Sequence, residues 1–348
     1  MKKNKTRLLT IGILLTLATG IIHIINHIIF TSANLKDFLK SSAHNYYNWR
    51  FGKIYYKKKG SGSPVLLIHD LTVYSSAYEW NSIIDKLAEN HTVYAVDLLG
   101  CGRSEKPAMT YTSYLYVQMI SDFIKNVIHE KTDVIASGYS CSFSILACNN
   151  ESNLFGKLFL VNPPSFATLS KIPGKRSKLY KFLLEVPVFG TLVYNMITCQ
   201  SNVELLFTEN YLFNPFKVTP EMIDVYYEAA HKGFSSSKYL MSSMVGRYMN
   251  NSISHALRNI NQSIVLIFGE HEDSFEEVGE SYTNSNPAIE TTVIASSKHL
   301  PHMEAPEKFV DTLKVYDIPA IKASKPSRIS FTFILFTSTL FPLESITK

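Results

Sequence analysis

Short apolar runs punctuate this chain at near-regular intervals. Val65–His69 (VLLIH), Thr92–Val96 (TVYAV), Asp133–Ser137 (DVIAS), Lys157–Val161 (KLFLV), Ser263–Phe268 (SIVLIF) and Glu290–Ala295 (ETTVIA) are the clearest. Runs of this length, bounded by turn residues, predict strands buried on both faces. Between them lie segments with helical spacing: Ser76–Asn90, with Trp80, Ile83, Ile84 and Leu87 on one face, then Ser113–Ile128, and finally Ala305–Val315. Trp49–Lys59 alternates and ends in the turn cluster Lys-Gly-Ser-Gly-Ser-Pro, the signature of a hairpin. Asn34–Tyr47 reads as a helical linker. Strands alternating with helices predict an α/β fold with a doubly wound, mostly parallel sheet.

Three stretches break that rhythm. From Ser165 to about Gln262 the pattern is helix-like and rich in aromatics, among them Tyr180, Phe182, Tyr194, Phe207, Tyr226, Tyr227 and Tyr239. It is too long for a loop and predicts an inserted helical cap over 165–262, dividing a core of 34–164 and 263–316. Leu8–Phe30 carries no formal charge with neutral histidine and is long enough to cross the ~30 Å hydrocarbon core of a bilayer. The basic flank MKKNKTR orients it with the N-terminus in the cytoplasm. Residues 1–33 are therefore expected to form a single-pass, uncleaved membrane anchor that holds the remainder on the extracytoplasmic face. Two alternatives stay open: a signal peptide cleaved near Thr31-Ser32-Ala33, and a buried amphipathic helix packed on the domain, since His23, Asn26 and His27 weaken the second half of the span. The tail 317–348 has an apolar run too short to cross a bilayer easily, and its pattern assigns it no function.

Composition narrows the field. The chain is 46% hydrophobic and 18% charged, apolar for a soluble protein but not for one with a membrane segment. A net charge of +5, without a basic stripe, argues against nucleic-acid binding. The four cysteines, Cys101, Cys141, Cys148 and Cys199, lack metal-site spacing and read as reduced, mostly buried thiols.

The candidate chemistry centres on DVIASGYSCSFSILAC, Asp133–Cys148. A strand, a tight turn and a helix with serine at the apex make a nucleophile elbow, G-x-S-x-G, whose small residues let strand and helix approach closely. Here it reads Gly138-x-Ser140-x-Ser142, serine standing where the last glycine is usual. Four further stretches lie at strand ends: LLIHDL (66–71), VDLLGCGRSEKP (96–107), LIFGEHED (266–273) and SKHLPHMEAPEKF (297–309).

Over residues 48–316 these motifs, in this order, resemble the α/β-hydrolase family, in its serine-hydrolase branch with a helical cap. The resemblance implies a Ser-His-acid triad working through an acyl-enzyme on an ester or related acyl substrate, probed by an apolar pocket under the cap, with no metal or organic cofactor. Ser140 would attack and His299 shuttle the proton. Lys298 precedes His299 where the family has glycine, and His302 falls at a packing position. Asp273 is the favoured acid and Glu272, at the family's usual spacing, the alternative. The oxyanion donors would be the N–H groups of Leu71 and Cys141. Asp70 departs from the family's His-Gly at that point and puts a carboxylate where negative charge should develop. That departure, with Ser142 and the ambiguous acid, motivates the rival expectation of a hydrolase-fold protein that binds a ligand or partner without efficient catalysis. The turn Asp97, Gly100, Gly102, Arg103 and Ser104 reads as structural.

Overall fold

The computed structural model describes residues 2–40 and 45–316. Its strands are β1 (Tyr46–Trp49), β2 (Gly52–Lys59), β3 (Ser63–Ile68), β4 (His91–Val96), β5 (Thr132–Ser137), β6 (Phe155–Val161), β7 (Ile264–Gly269) and β8 (Glu290–Ile294). They form one sheet in the order β1-β2-β4-β3-β5-β6-β7-β8. Antiparallel pairing is confined to the β1–β2 hairpin and to β2 against β4, and the other pairs are parallel. The inner apolar runs fold as strands because helices cover both faces: in β3, Val65, Leu66, Leu67 and Ile68 are all fully buried, whereas the edge strand β8 is largely exposed. One apolar cluster under the sheet includes Trp80, Ile135, Phe159 and Phe309, and a larger one on the other face includes Tyr116, Phe143 and Phe155.

The predicted helix 76–90 is shorter than its pattern: a single tight turn, Ala77–Trp80, then α2 (Asn81–Leu87). Among its described residues the linker after residue 33 is not helical. Turns run to Lys40, and β1 already begins at Tyr46. The reason is a tertiary contact, since the Glu228 carboxylate, from the insertion, takes the N–H groups of Phe38 and Leu39 (2.6 and 3.4 Å) that a helix would need. Between β6 and β7 lies the helical insertion, with Lys175–Glu185, Phe189–Ile197 and Pro220–His231 among its longer helices. The tail 317–348 lies outside the described residues.

The long N-terminal helix α1 (Lys2–Ala33) contains a stretch, Leu9–Ala33, long and apolar enough to cross a membrane. Its character changes along its length. Leu9, Leu14, Leu17 and Ile21 are exposed, whereas Asn26, Phe30 and Ala33 are buried against the insertion. Asn26 donates to Val188 O (3.0 Å) and accepts from Asn195 (2.9 Å). Asn26 thus has its hydrogen-bond partners in the insertion.

Candidate active site

The carboxyl ends of β3, β5, β7 and β8 converge on one cleft, where ligands bind in open α/β sheets. The turn after β5 holds the first correction to the expected site. Strand β5 stops at Ser137, and the residue that takes the left-handed conformation of the elbow is Gly138, at φ +52°. Ser140 is the first residue of helix α4 (Ser140–Asn150) and is fully buried. Its hydroxyl donates to His69 O at 2.6 Å, in the interior rather than toward His299. Cys141 is displaced from its expected role for the same reason: its N–H bonds to Gly138 O (3.1 Å) as part of the helix start. The register of the turn is two residues earlier than the serine suggested. Ala136-x-Gly138-x-Ser140 has the same small-residue spacing as Gly138-x-Ser140-x-Ser142, and that overlap was the available signal.

Asp70, on the loop after β3, occupies the space this leaves. Its Oδ1 accepts from Leu71 N and Tyr139 N, both at 2.7 Å. Leu71 is one of the two expected oxyanion donors, and Tyr139 N, directly after the elbow glycine, lies beside it where Cys141 N was expected. The pair of N–H groups that would hold a developing oxyanion therefore holds a carboxylate oxygen. A Cβ at position 138 would overlap the Asp70 carboxyl group, so glycine is required twice over, by conformation and by this contact. The Asp70 carboxylate also lies at the N-terminus of α4, where the helix dipole favours negative charge. Below it, Glu79 accepts the Asp70 N–H (3.2 Å).

The other oxygen, Asp70 Oδ2, faces His299 Nε2 at 3.6 Å, an ion-pair separation longer than a hydrogen bond. On the far side of the ring, His299 Nδ1 meets Glu272 Oε1 at 3.1 Å. Glu272, and not the favoured Asp273, is the carboxylate that contacts the histidine; Asp273 lines the same cavity without pairing with His299. The spacing after β7 decides this, because the turn opens Gly269-Glu270-His271-Glu272 with Glu272 N bonded back to Gly269 O (3.1 Å). Burial opposes charge on the His299 ring. The attraction of Asp70, with the hydrogen bond and attraction of Glu272, outweighs it and raises the pKa to about 10. The ring of Tyr211, from the insertion, stacks on His299 at 5.4 Å.

Two groups tie down the histidine loop. Asn162, held at φ +44°, donates to Lys298 O (3.0 Å) and His299 O (2.8 Å) and so clamps the histidine loop to the end of β6. Glu304 accepts from Lys298 N, Phe213 N and Asn214 N, tying that loop to the insertion. His302 is, as expected, a packing residue: buried, stacked on Trp80 at 4.0 Å and bonded to Glu79 at 3.1 Å. Asp97 takes the N–H groups of Ala77 and Arg103 (both 2.7 Å), which fits the structural reading of its turn. The four cysteines are free thiols. Asp70, Glu272 and His299 open together onto a cavity of about 320 Å³, walled also by Tyr139, Pro164 and Phe275.

A parallel sheet with its elbow after β5, a histidine after the last strand and a carboxylate after β7 defines a hydrolase-type α/β protein. The chain belongs to the alpha/beta hydrolase family, whose sequence profile matches residues 65–312. It is 30% identical over 110 residues to a soluble epoxide hydrolase of Corynebacterium sp. (strain C12), covering 32% of this chain and 38% of that protein. It is 38% identical over 71 residues to the 2-hydroxy-6-oxo-6-(2'-aminophenyl)hexa-2,4-dienoic acid hydrolase of Metapseudomonas resinovorans, covering 20% and 24%. The matched stretches thus span well under half of these curated relatives. Among solved structures, the epoxide hydrolase CorEH superposes with a TM-score of 0.64 at 20% identity, over 79% of this chain and 98% of that one. The serine hydrolase CarC, involved in carbazole degradation, does so with 0.64 at 18%, over 78% and 97%. At these identities the structural likeness concerns the fold.

Proposed function

We propose that this chain is a membrane-anchored hydrolase that adds water to a small apolar electrophile, an epoxide, in the cavity beside His299. One observation carries the reading: an imidazole held between two carboxylates, one of which already fills the two-N–H pocket of the elbow. Acyl transfer from an ester needs that pocket for the substrate's carbonyl oxygen, and Asp70 Oδ1 is in it. A serine route needs Ser140 beside His299, and the Ser140 hydroxyl is bonded to His69 O instead. Opening an epoxide makes neither demand, since the attacked carbon is saturated and the charge develops on the ring oxygen. A protonated His299, its pKa raised to about 10, is a proton source at neutral pH for that oxygen. The named activity of the Corynebacterium relative supports the same substrate class.

Membrane anchoring rests on α1, whose first two turns past Leu8 and whose middle are apolar and exposed. The insertion beside its C-terminal half also exposes Phe182, Leu183, Phe189 and Met196, as suits a surface lying against lipid. The test uses the full chain in detergent micelles with styrene oxide and a long-chain terminal alkyl epoxide. Diol formation that disappears in His299→Gln is expected. Fluorophosphonate labelling lost in Ser140→Ala, together with ester turnover, would sink this reading in favour of the serine route. A folded chain inert toward epoxides and esters alike would instead favour the ligand-binding rival.

A further inference from the structure

The Asp70 carboxyl group projects from the β3 loop, yet it lies where a side chain on the elbow would begin. A Cβ on Gly138 would fall onto its Oδ1 and Cγ atoms. It also has the surroundings an elbow nucleophile would have: two N–H donors on one oxygen, an imidazole facing the other, and an open cavity alongside. Asp70 is otherwise placed at a cost, since its side chain is only 9% exposed. A small residue at this position would leave the two N–H groups free for substrate.

We propose that Asp70 is the nucleophile of this hydrolase, supplied to the elbow from the neighbouring strand instead of from the elbow itself. The inference rests on the hydrolase reading above and deepens it. Oδ1 is occupied by Leu71 N and Tyr139 N, so Oδ2 attacks. It forms a bond to one ring carbon of the epoxide as that carbon's bond to the ring oxygen breaks, and the oxygen takes the proton from His299 Nε2. The enzyme is then an alkyl ester of Asp70 and His299 is neutral. His299, oriented by Glu272, next removes a proton from water as the water oxygen attacks Asp70 Cγ. The negative charge grows on Oδ1, already between its two N–H donors. Collapse breaks the Cγ–Oδ2 bond. Oδ2 leaves in the diol, which takes the proton of the newly formed carboxylic acid, and the water oxygen stays in Asp70. The sum is one epoxide and one water giving one diol, with carboxylate and protonated histidine restored. Attack of a carboxylate on an ester carbonyl would instead make an anhydride, a further reason that a saturated carbon is the target.

The fate of the oxygen tests this directly. The full chain in detergent micelles is taken through a single turnover of styrene oxide or the alkyl epoxide in heavy-oxygen water, digested and read by mass spectrometry. Heavy oxygen in the peptide carrying Asp70, and an epoxide adduct trapped on that peptide in His299→Gln, are expected. Diol formed with His299 dependence but with heavy oxygen only in the product would overturn the covalent step while leaving the hydrolase reading intact. No diol and no adduct from either epoxide would overturn both. Asp70→Asn, nearly isosteric, should lower turnover by about three orders of magnitude. Combining Asp70→Gly with Gly138→Asp, which returns the carboxylate to the elbow, should restore part of what Asp70→Gly loses. A double variant that is folded and as inactive as Asp70→Gly would count against the equivalence of the two positions.

Discussion

His299 and His302 lie three positions apart after β8, the second in a short helical turn, and each faces a carboxylate at 3.1 Å, yet the two are tuned in opposite directions. His302 is fully buried, stacked on Trp80, and has only Glu79 to favour its charge, a carboxylate already committed to the Asp70 N–H. Burial, with the nearby His299, holds its pKa below the ordinary 6.5 despite that bond. His299 is one-fifth exposed to the cavity and has two carboxylates, so the same burial penalty is overcome and its pKa rises to about 10. The number of carboxylates on a ring, and whether the ring meets open space, separate a working histidine from a structural one.

The sharpest way to break this contrast is to remove each ring. His299→Gln should lower kcat by about three orders of magnitude or more with little change in Tm. His302→Gln should do the reverse, costing roughly 2–4 kcal/mol because Glu79 stays buried without its partner, and leaving kcat of the folded fraction within a few-fold. Steady-state kinetics beside thermal melts read both. Next in size is the acid. Glu272→Gln should lower kcat about 10–100-fold and bring the alkaline limb of the pH–rate profile down from near pH 10, whereas Asp273→Asn should stay within about twofold of the parent. Equal effects from the two would undo the assignment of Glu272.

Stability against pH gives a smaller, signed effect. The folded-state pKa of His299 is raised, so its contribution is fully present below pH 6.5 and is lost as pH climbs through about 10. That of His302 is lowered, so its contribution is present above pH 6.5 and is lost as pH falls below it. Glu272→Gln should therefore flatten the alkaline decline in Tm and leave the acid side unchanged. The smallest expected effect is Ser140→Ala, which deletes one hydrogen bond to His69 O for about 1 kcal/mol and leaves turnover intact. A large loss of turnover there would return the serine to the centre of the site.

The fold was legible because it is written in local patterns. VLLIH and SIVLIF are buried on both faces and look it, and the turn residues between runs set the strand boundaries to within a few positions. The histidine loop was legible for a similar reason: SKHLPHMEAPEKF lies between a strand and a helix, with His302 buried and His299 lining the cavity. The choice between Glu272 and Asp273 was not, since one peptide's difference in a turn is set by a bond from Glu272 N to Gly269 O.

By itself the sequence determined an α/β scaffold with a mostly parallel sheet and a helical insertion, an apolar N-terminal helix and a histidine at the end of the sheet. Periodicity and turn chemistry act between near neighbours, and one chain contains them in full. Only the tertiary structure decided which residue stands at the elbow and which carboxylates reach the histidine. Gly138 and Asp70 are far apart in the chain, and neither is informative alone. Their meaning arises because β3 and β5 are paired neighbours, with Ile68 opposite Ala136, so that a side chain from one strand end fills the space left open at the other.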